Sequence, residues 1–495
     1  LNWDSLTNGP VGLYLTQQLG LPGLPIDSSM RRYFVALVFL YLVVLVTWVL
    51  SRSTFGRRLA AIRDNEPLAR SLGINTFMYQ LAAFVISASI AGLGGHLYFM
   101  HLRAVTPDLF GVMATISVFL MVVMGGTRTL VGPLVGAWVV VFLPVWFGPL
   151  GLEDPHKQEI AFGVLLMLFM LLAPAGIVGG LGALADRLRR RGDDPETAVA
   201  EAAAETAAET AAETAASPAD DVASAAGPAA TPRERTAGAG EVLLEIDGVT
   251  RHYGALKAVD GVSLDVRRGE VVGIIGPNGS GKTTLVNCIT GFQGLTAGAL
   301  RWKRQDISGR RPHERARLGI LRTFQQSMSF PEYTPRQHCN LVWSLGEKAE
   351  GPLAREVGSI DELLRTFRLD RVADMPASDL PYGQVSNLGI ATVVATRLPE
   401  LLVLDEPAAG LTSAESLELQ RRLLALRDRG LTILIIDHDM SFLMPMCDRV
   451  VVLDAGAKVM EGTPDVVQRD PRVVAAYLGE RFAERTAPDT VGGEK

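Results

Sequence analysis

The stretch GEVVGIIGPNGSGKTTLVNCITG, residues 269–291, decides the fold of the second half of this chain. The apolar run VVGII reads as a buried strand, and the polar-then-apolar run after Lys282 reads as a helix. Between them, Gly276, Pro277, Asn278, Gly279, Ser280, Gly281, Lys282 and Thr283 fit the spacing GxxxxGK[ST]. Glycines there let backbone N–H groups wrap phosphate oxygens, and the helix N-terminus adds a favourable dipole. Lys282 is placed to reach the β- and γ-phosphates of ATP, and Thr283 to ligate Mg²⁺. Thr284 completes the expected ATP-binding set. A chance match is far less specific than one set between a strand and a helix.

LLVLDEP, residues 401–407, supplies the partner. An apolar strand ends in two carboxylates. Asp405 is expected to hold Mg²⁺ through water, and Glu406 to act as general base on the water that attacks the γ-phosphate. Standing alone, the pair could equally cap a helix; a phosphate loop in the same chain favours the catalytic reading.

The first half is of a different kind. Averages of 48% hydrophobic and 20% charged residues hide a sharp division, because residues 1–186 contain one lysine, Lys157. A bilayer core about 30 Å thick needs roughly 20 apolar residues of helix. Spans are expected at about 33–50, 77–100, 109–124, 130–147 and 160–181, the third short enough to be broken or re-entrant. Small residues at Ala91, Gly92, Gly94 and Gly95 suggest close helix packing in lipid. Arginines cluster at 52–70, at Arg128 and at 187–191, on one side if all five spans cross, whereas Arg31, Arg32, Arg103 and Lys157 fall opposite. The positive-inside rule then places the chain in the inner or plasma membrane as a multi-pass protein, with Leu1 outside and the ATPase half cytoplasmic. Buried helices of a soluble protein would not require five such runs.

Gly56–Ile74, GRRLAAIRDNEPLARSLGI, carries Leu59, Ile62 and Ala69 among arginines, and Pro67 is expected to start a second short helix. It reads either as a solvated basic loop or as a coupling helix that docks on the ATPase. From 187 to 240 the chain reads as a flexible linker. Glu201, Glu205, Glu209 and Glu213 recur four apart, so like charges repel along any helix face. Residues 483–495 read as a disordered tail. The net charge of −6 comes without a basic stripe in the soluble half, which argues against nucleic acid as a partner. Cys288, Cys339 and Cys447 are scattered without CxxC spacing, as expected of reduced cytosolic thiols. The chain starts at Leu1 with no leader-like pattern, and reads as lacking the beginning of a longer protein.

Here a family resemblance becomes visible. Gly56–Ile74, VVMGGTRTLVGPLVGAW (122–138) and GVLLMLFMLLAPAGIVG (163–179) resemble the permease subunit of branched-chain amino acid ABC importers. Residues 241–482 resemble ABC ATPases, and LPYGQ, AAGLT and CDRVVVLDAGAKVMEGTPDVVQRDPRVVAAYLG are similar to the ATP-binding subunit of the same importers. The resemblance implies a multi-domain fold: an all-α transmembrane helix bundle (1–186) and an α/β P-loop ABC nucleotide-binding domain with a helical subdomain. It implies that Tyr253 stacks on adenine and that Gln325 senses Mg²⁺ and water beside the coupling helix. It further implies that His438 contacts the γ-phosphate, and that Leu380, Pro381, Tyr382, Gly383 and Gln384 form the signature segment acting in trans. The implied partners are a second ABC ATPase domain (a second copy or a homologous subunit), a second permease subunit, an external solute-binding protein and the lipid bilayer.

The sequence departs from the pattern in three places. Pro381 and Tyr382 replace the usual signature serine and glycine. The run Val385–Thr396 lacks the usual arginines and acid, and Thr412 stands where Asp or Asn is common. The expected function is ATP-driven import of a small solute, branched-chain amino acids or related compounds. The alternatives are an ABC exporter, disfavoured by the short loops, and an ATP-binding regulatory module with weak hydrolysis, favoured only by the altered signature.

Overall fold

The computed structural model describes residues 13–14, 28–102, 104–105, 111–147, 163–165, 167–169, 171, 176–182, 240–323, 329–343, 345, 358–397, 399–470 and 473. The chain divides into two compact units, residues 1–51 with 85–230, and residues 52–84 with 231–495. The expected linker and C-terminal tail lie outside the described residues, save Gly240.

In the first unit, β1 (Leu13–Tyr14) pairs antiparallel with β2 (Ala104–Val105). Helix α1 (Ser29–Arg52) contains no buried residue and exposes Tyr33, Phe34, Leu37, Tyr41 and Trp48, as a lipid-facing helix does. Two short helices of the second unit, α2 (Thr54–Asp64) and α3 (Glu66–Ser71), follow it in sequence, and then the long α4 (Thr76–Leu102), which belongs to the first unit from residue 85 on. Only α1 and α4 among the described helices are long and apolar enough to cross a membrane unaided. The expected third and fourth spans are the shorter α5 (Val112–Gly125, 14 residues) and α6 (Gly132–Phe147, 16 residues). At 1.5 Å per residue they reach only about 21–24 Å, short of a full hydrocarbon core. Of the fifth expected span, only 163–165, 167–169, 171 and 176–181 fall within the described residues, those to 171 and from 176 being helical.

The close packing expected at Gly92–Gly95 is found elsewhere. A Cβ built on Gly92, Gly94 or Gly95 meets nothing within 4 Å among the described residues, whereas one on Gly136 would lie 1.7 Å from the Met121 carbonyl oxygen. One on Gly125 would lie 1.8 Å from the Gly132 carbonyl oxygen. Here α5 and α6 touch backbone to backbone, a contact that only glycine permits.

The second unit is built on two sheets. An antiparallel sheet runs β4 (Leu256–Arg267), β3 (Val242–Tyr253), β6 (Ala297–Trp302), β7 (Gln305–Asp306). The other sheet has the order β12-β11-β5-β10-β9-β8, with β5 (Val271–Ile275), β8 (Ile320–Arg322), β9 (Leu401–Asp405), β10 (Thr432–Ile436), β11 (Arg449–Asp454) and β12 (Ala457–Gly462). All its neighbours are parallel except β11 and β12. Strands β5, β9 and β10 are buried at every position, which is why they read as unbroken apolar runs rather than alternating ones. Helix α7 (Lys282–Thr290) follows β5, and α8 (Pro312–Arg317) precedes β8. A helical region consists of α9 (Pro335–Trp343), α10 (Ile360–Thr366) and α11 (Tyr382–Ala395); α12 (Ser413–Asp428), α13 (Met440–Leu443) and α14 (Pro464–Arg469) complete the unit.

The unusual run after the signature has a packing role. Leu388, Ile390, Ala391, Val393, Val394 and Ala395 of α11 are buried in the core, and the Thr392 and Thr396 hydroxyls bond back to the carbonyls of Leu388 and Val393. Charged side chains at these positions would be desolvated.

Candidate nucleotide site and its coupling surface

Phosphate loop, acidic pair and His438 meet at the carboxyl edge of the parallel sheet, where ligands of such sheets bind. The order β5-β10-β9 puts the loop after β5, Asp437 and His438 after β10, and Asp405 and Glu406 at the end of β9.

The glycines of the loop are sterically required. Gly276 has φ 155°, and a Cβ there would sit 2.2 Å from the Leu453 carbonyl oxygen. Gly281 has φ 96°, and its Cβ would sit 2.2 Å from the Ala258 carbonyl oxygen. The buried Lys282 ammonium donates to the carbonyls of Gly276 (2.7 Å) and Pro277 (2.9 Å), folding back over its own loop. Burial lowers its pKa, and the charges of Glu406 and Asp405 oppose that shift. The Ser280 hydroxyl is buried without a hydrogen-bond partner among the described residues. Thr283 and Asn278 are exposed.

Asp405 is 1% exposed, and its Oδ2 accepts from Arg322 Nη2 at 2.7 Å. Its Oδ1 is buried without a partner among the described residues. Burial raises the Asp405 pKa, and Arg322 pulls it back. A spare carboxylate oxygen with a threonine hydroxyl at the head of α7 is a donor set of hard oxygens, which fits Mg²⁺. Glu406 stands at φ 50°, rare for a residue with a side chain, and its N–H donates to the Ile436 carbonyl at 2.7 Å. His438 Nδ1 lies 3.6 Å from Glu406 Oε2 and 3.7 Å from Asp437 Oδ1, beyond hydrogen-bond length. Asp437 is itself buried and accepts from the N–H groups of Ala408 and Asp439.

Tyr253 ends β3 and is 42% exposed, with the Arg251 guanidinium carbon over its ring, 4.9 Å from the centroid. The signature residues begin α11 and lie against the loop that follows Glu406: a Cβ on Gly383 would meet Glu415 Oε1 at 2.6 Å and Leu411 Cδ2 at 3.7 Å. Pro381 caps α11, which packs with α9 and α10. Tyr382 is exposed, and a Cβ on Gly410 would meet its ring at 2.9 Å. Thr412 caps α12 in a reciprocal pair with Glu415, which accounts for a hydroxyl residue there. Gln325 lies outside the described residues. Arg322 escaped the sequence reading: besides Asp405, its guanidinium donates to Asn287 Oδ1, so it ties the acidic strand to α7.

The second unit also contains the arginine-rich segment. Ser53 caps α2, Asn65 caps α3, and Pro67 lies in the first turn of α3, as the sequence led one to expect. Ala61, Leu68 and Leu72 are buried in the same apolar cluster as Ala316, Leu321, Phe330, Tyr333 and Leu341 of the ATPase. The Tyr333 hydroxyl donates to the Arg57 carbonyl at 2.8 Å, and Arg63 pairs with Glu332 at 3.3 Å. This segment is docked rather than solvated.

A phosphate loop beside an acidic strand end, with a histidine between and a helical region carrying LPYGQ, defines an ABC-type ATPase. The profile of ABC transporters matches residues 259–409. Residues 7–173 match the branched-chain amino acid transport system permease component, and residues 457–483 the branched-chain amino acid ATP-binding cassette transporter profile. The high-affinity branched-chain amino acid transport ATP-binding protein BraF of Pseudomonas aeruginosa is 39% identical over 251 residues, 48% of this chain and 98% of that protein. LivG of Escherichia coli, of the same description, is 38% identical over 259 residues, with 48% and 98% covered. A solved ATP-binding cassette of an ABC transporter in its ADP conformation is 32% identical, covering 48% of this chain and 100% of its own, with a TM-score of 0.43. The chain belongs to the branched-chain amino acid ABC transporter family, and it joins a permease domain to an ATP-hydrolysing domain.

Proposed function

We propose that this chain imports branched-chain amino acids across a cell membrane at the expense of ATP, with Glu406 as the general base. The observation that carries the reading is the burial of Ala61, Leu68 and Leu72, next to the membrane helices in sequence, within the core of the ATPase. A segment so held moves when the ATPase moves.

The backbone of Gly276–Gly281 and the Lys282 ammonium hold the phosphates, and Tyr253 stacks on adenine. Asp405 and Thr283 would hold Mg²⁺, which would supply Lewis acidity for phosphoryl transfer. Glu406 takes the proton of the attacking water, and His438 contacts the γ-phosphate. Leu380–Gln384 acts on the phosphate loop of a second ATPase domain through the N–H groups of Tyr382 and Gly383 and the dipole of α11. Gln325 would complete the Mg²⁺ and water contacts, as the family resemblance implies. A second permease subunit and an external solute-binding protein complete the importer, with several crossings and the ATPase on the cytoplasmic side.

Deleting the chain from its native host tests this. Uptake of labelled leucine should fall and return with the intact chain; unchanged uptake of leucine, isoleucine and valine would overturn the substrate assignment.

A further inference from the structure

Helix α8 lies between the phosphate-loop helix and the docked membrane segment, and two of its arginines reach one each. Arg315 is 1% exposed. Its Nη1 donates to the carbonyls of Cys288 (2.5 Å) and Ile289 (2.7 Å) in the last turn of α7. Its Nη2 donates to the Ser308 carbonyl at 2.9 Å, and its Nε to that of Arg310 at 2.9 Å. A cation at a helix C-terminus complements both the dipole and the unpaired carbonyls there.

Arg317 points elsewhere. Residues two apart on a helix project roughly 200° around the axis. Arg317 is exposed, and its Nε donates to the Gly73 carbonyl at 3.1 Å, just past the end of α3. Gly73 has φ 90° and lies against α8: a Cβ there would be 3.6 Å from Arg317 Cγ, 3.7 Å from Ala316 Cβ and 3.9 Å from the His313 carbonyl oxygen. Ala316 is buried in one apolar cluster with Leu68 and Leu72.

We propose that α8 is a rigid strut that passes nucleotide-driven displacement of α7 to residues 66–74, with Arg315 and Arg317 as its positioning residues. Helix α7 starts at Lys282, in the phosphate loop, and the carbonyls that Arg315 holds lie six and seven residues further on, about 10 Å along its axis. The buried guanidinium gives two hydrogen bonds to carbonyls of α7 and two to those of Ser308 and Arg310, so α7 cannot shift without carrying α8 or breaking the first two. On the other side, α8 meets the segment through one charge-assisted bond and a buried alanine. The strut's value to transport rests on the import reading above; its mechanics do not.

The test uses the purified full chain in detergent, with and without Mg-ATPγS, and reads amide hydrogen exchange at residues 66–74. Nucleotide should slow exchange there in the wild type. Arg317→Ala should cut that response about tenfold, the factor one charge-assisted hydrogen bond supports, with ATPγS affinity kept within about twofold. Arg317→Lys should restore part of the response. Arg315→Met removes all four of these hydrogen bonds from a buried site and is expected to unfold, so the exposed Arg317 carries the test. A wild type without a nucleotide response at 66–74, or an Arg317→Ala variant with an undiminished one, overturns the strut. An equal loss of ATPγS affinity would do so as well. Failure of leucine uptake in the wild type would sink the import reading and leave the exchange result to decide the strut.

Discussion

Replacing Arg322 by methionine removes one half of a buried ion pair. The two side chains are 5% and 1% exposed, with 2.7 Å between Nη2 and Oδ2. Asp405 would keep its carboxylate in the core with neither oxygen paired, and Asn287 Oδ1 would lose its donor. Breaking such a pair from one side costs about 3–5 kcal/mol, because the abandoned charge stays desolvated. For a unit of this size each kcal/mol moves the unfolding midpoint by about 2–4 °C, so Arg322→Met should unfold roughly 6–20 °C below the wild type. The double variant Arg322→Met, Asp405→Asn carries no buried charge and should regain at least about half of that loss. Thermal unfolding of the full chain in detergent, followed by tryptophan fluorescence, reads both. A single variant within 2 °C of the wild type, or a double variant no better than the single, would refute this account of the pair.

Gly281→Ala should abolish ATP binding, measured by equilibrium binding of a fluorescent ATP analogue, because its Cβ would overlap the Ala258 carbonyl oxygen at 2.2 Å; retained affinity would contradict the loop geometry. His338 gives a pH dependence. Its Nε2 accepts from the Phe330 N–H at 2.9 Å and its Nδ1 donates to the Thr334 carbonyl at 2.9 Å, so the fold requires the neutral ring, and burial pushes its pKa down to about 4. The unfolded chain binds this proton more readily. Stability is therefore full above about pH 6.5 and is lost as the pH falls toward 4, by about 2 kcal/mol at pH 5. The slope of the unfolding midpoint between pH 7 and 5 should flatten in His338→Gln; an unchanged slope would rule the histidine out.

What the sequence disclosed followed from the range of each interaction. Loop, acidic pair and histidine were legible because each follows a continuous buried strand, and contiguous spacing carries their chemistry. Arg322 was not, since its carboxylate partner is 83 positions away. Its one local signal was a charge at the end of ILR, a strand buried at all three positions, where a cation demands a partner. The arginine-rich segment left docking and solvation open, because Ala61, Leu68 and Leu72 are too few to declare which surface receives them. Small residues at Gly92–Gly95 name no neighbour, because glycine allows close approach without specifying a partner; among the described residues such an approach is found at Gly125 and Gly136, between α5 and α6. The charge-free run Val385–Thr396 looked like a weakened site, yet six of its residues fill the core.

The most direct trial of ATP-driven import by this chain is to measure ATP hydrolysis and leucine uptake together in host cells and purified material carrying Glu406→Gln. The substitution removes the proposed base while leaving a carboxamide of the same size in its place, so hydrolysis should fall at least about a hundredfold with ATP still bound. Leucine accumulation should fall with it. Uptake that persists at the wild-type rate while hydrolysis is abolished would show that the energy for transport comes from elsewhere.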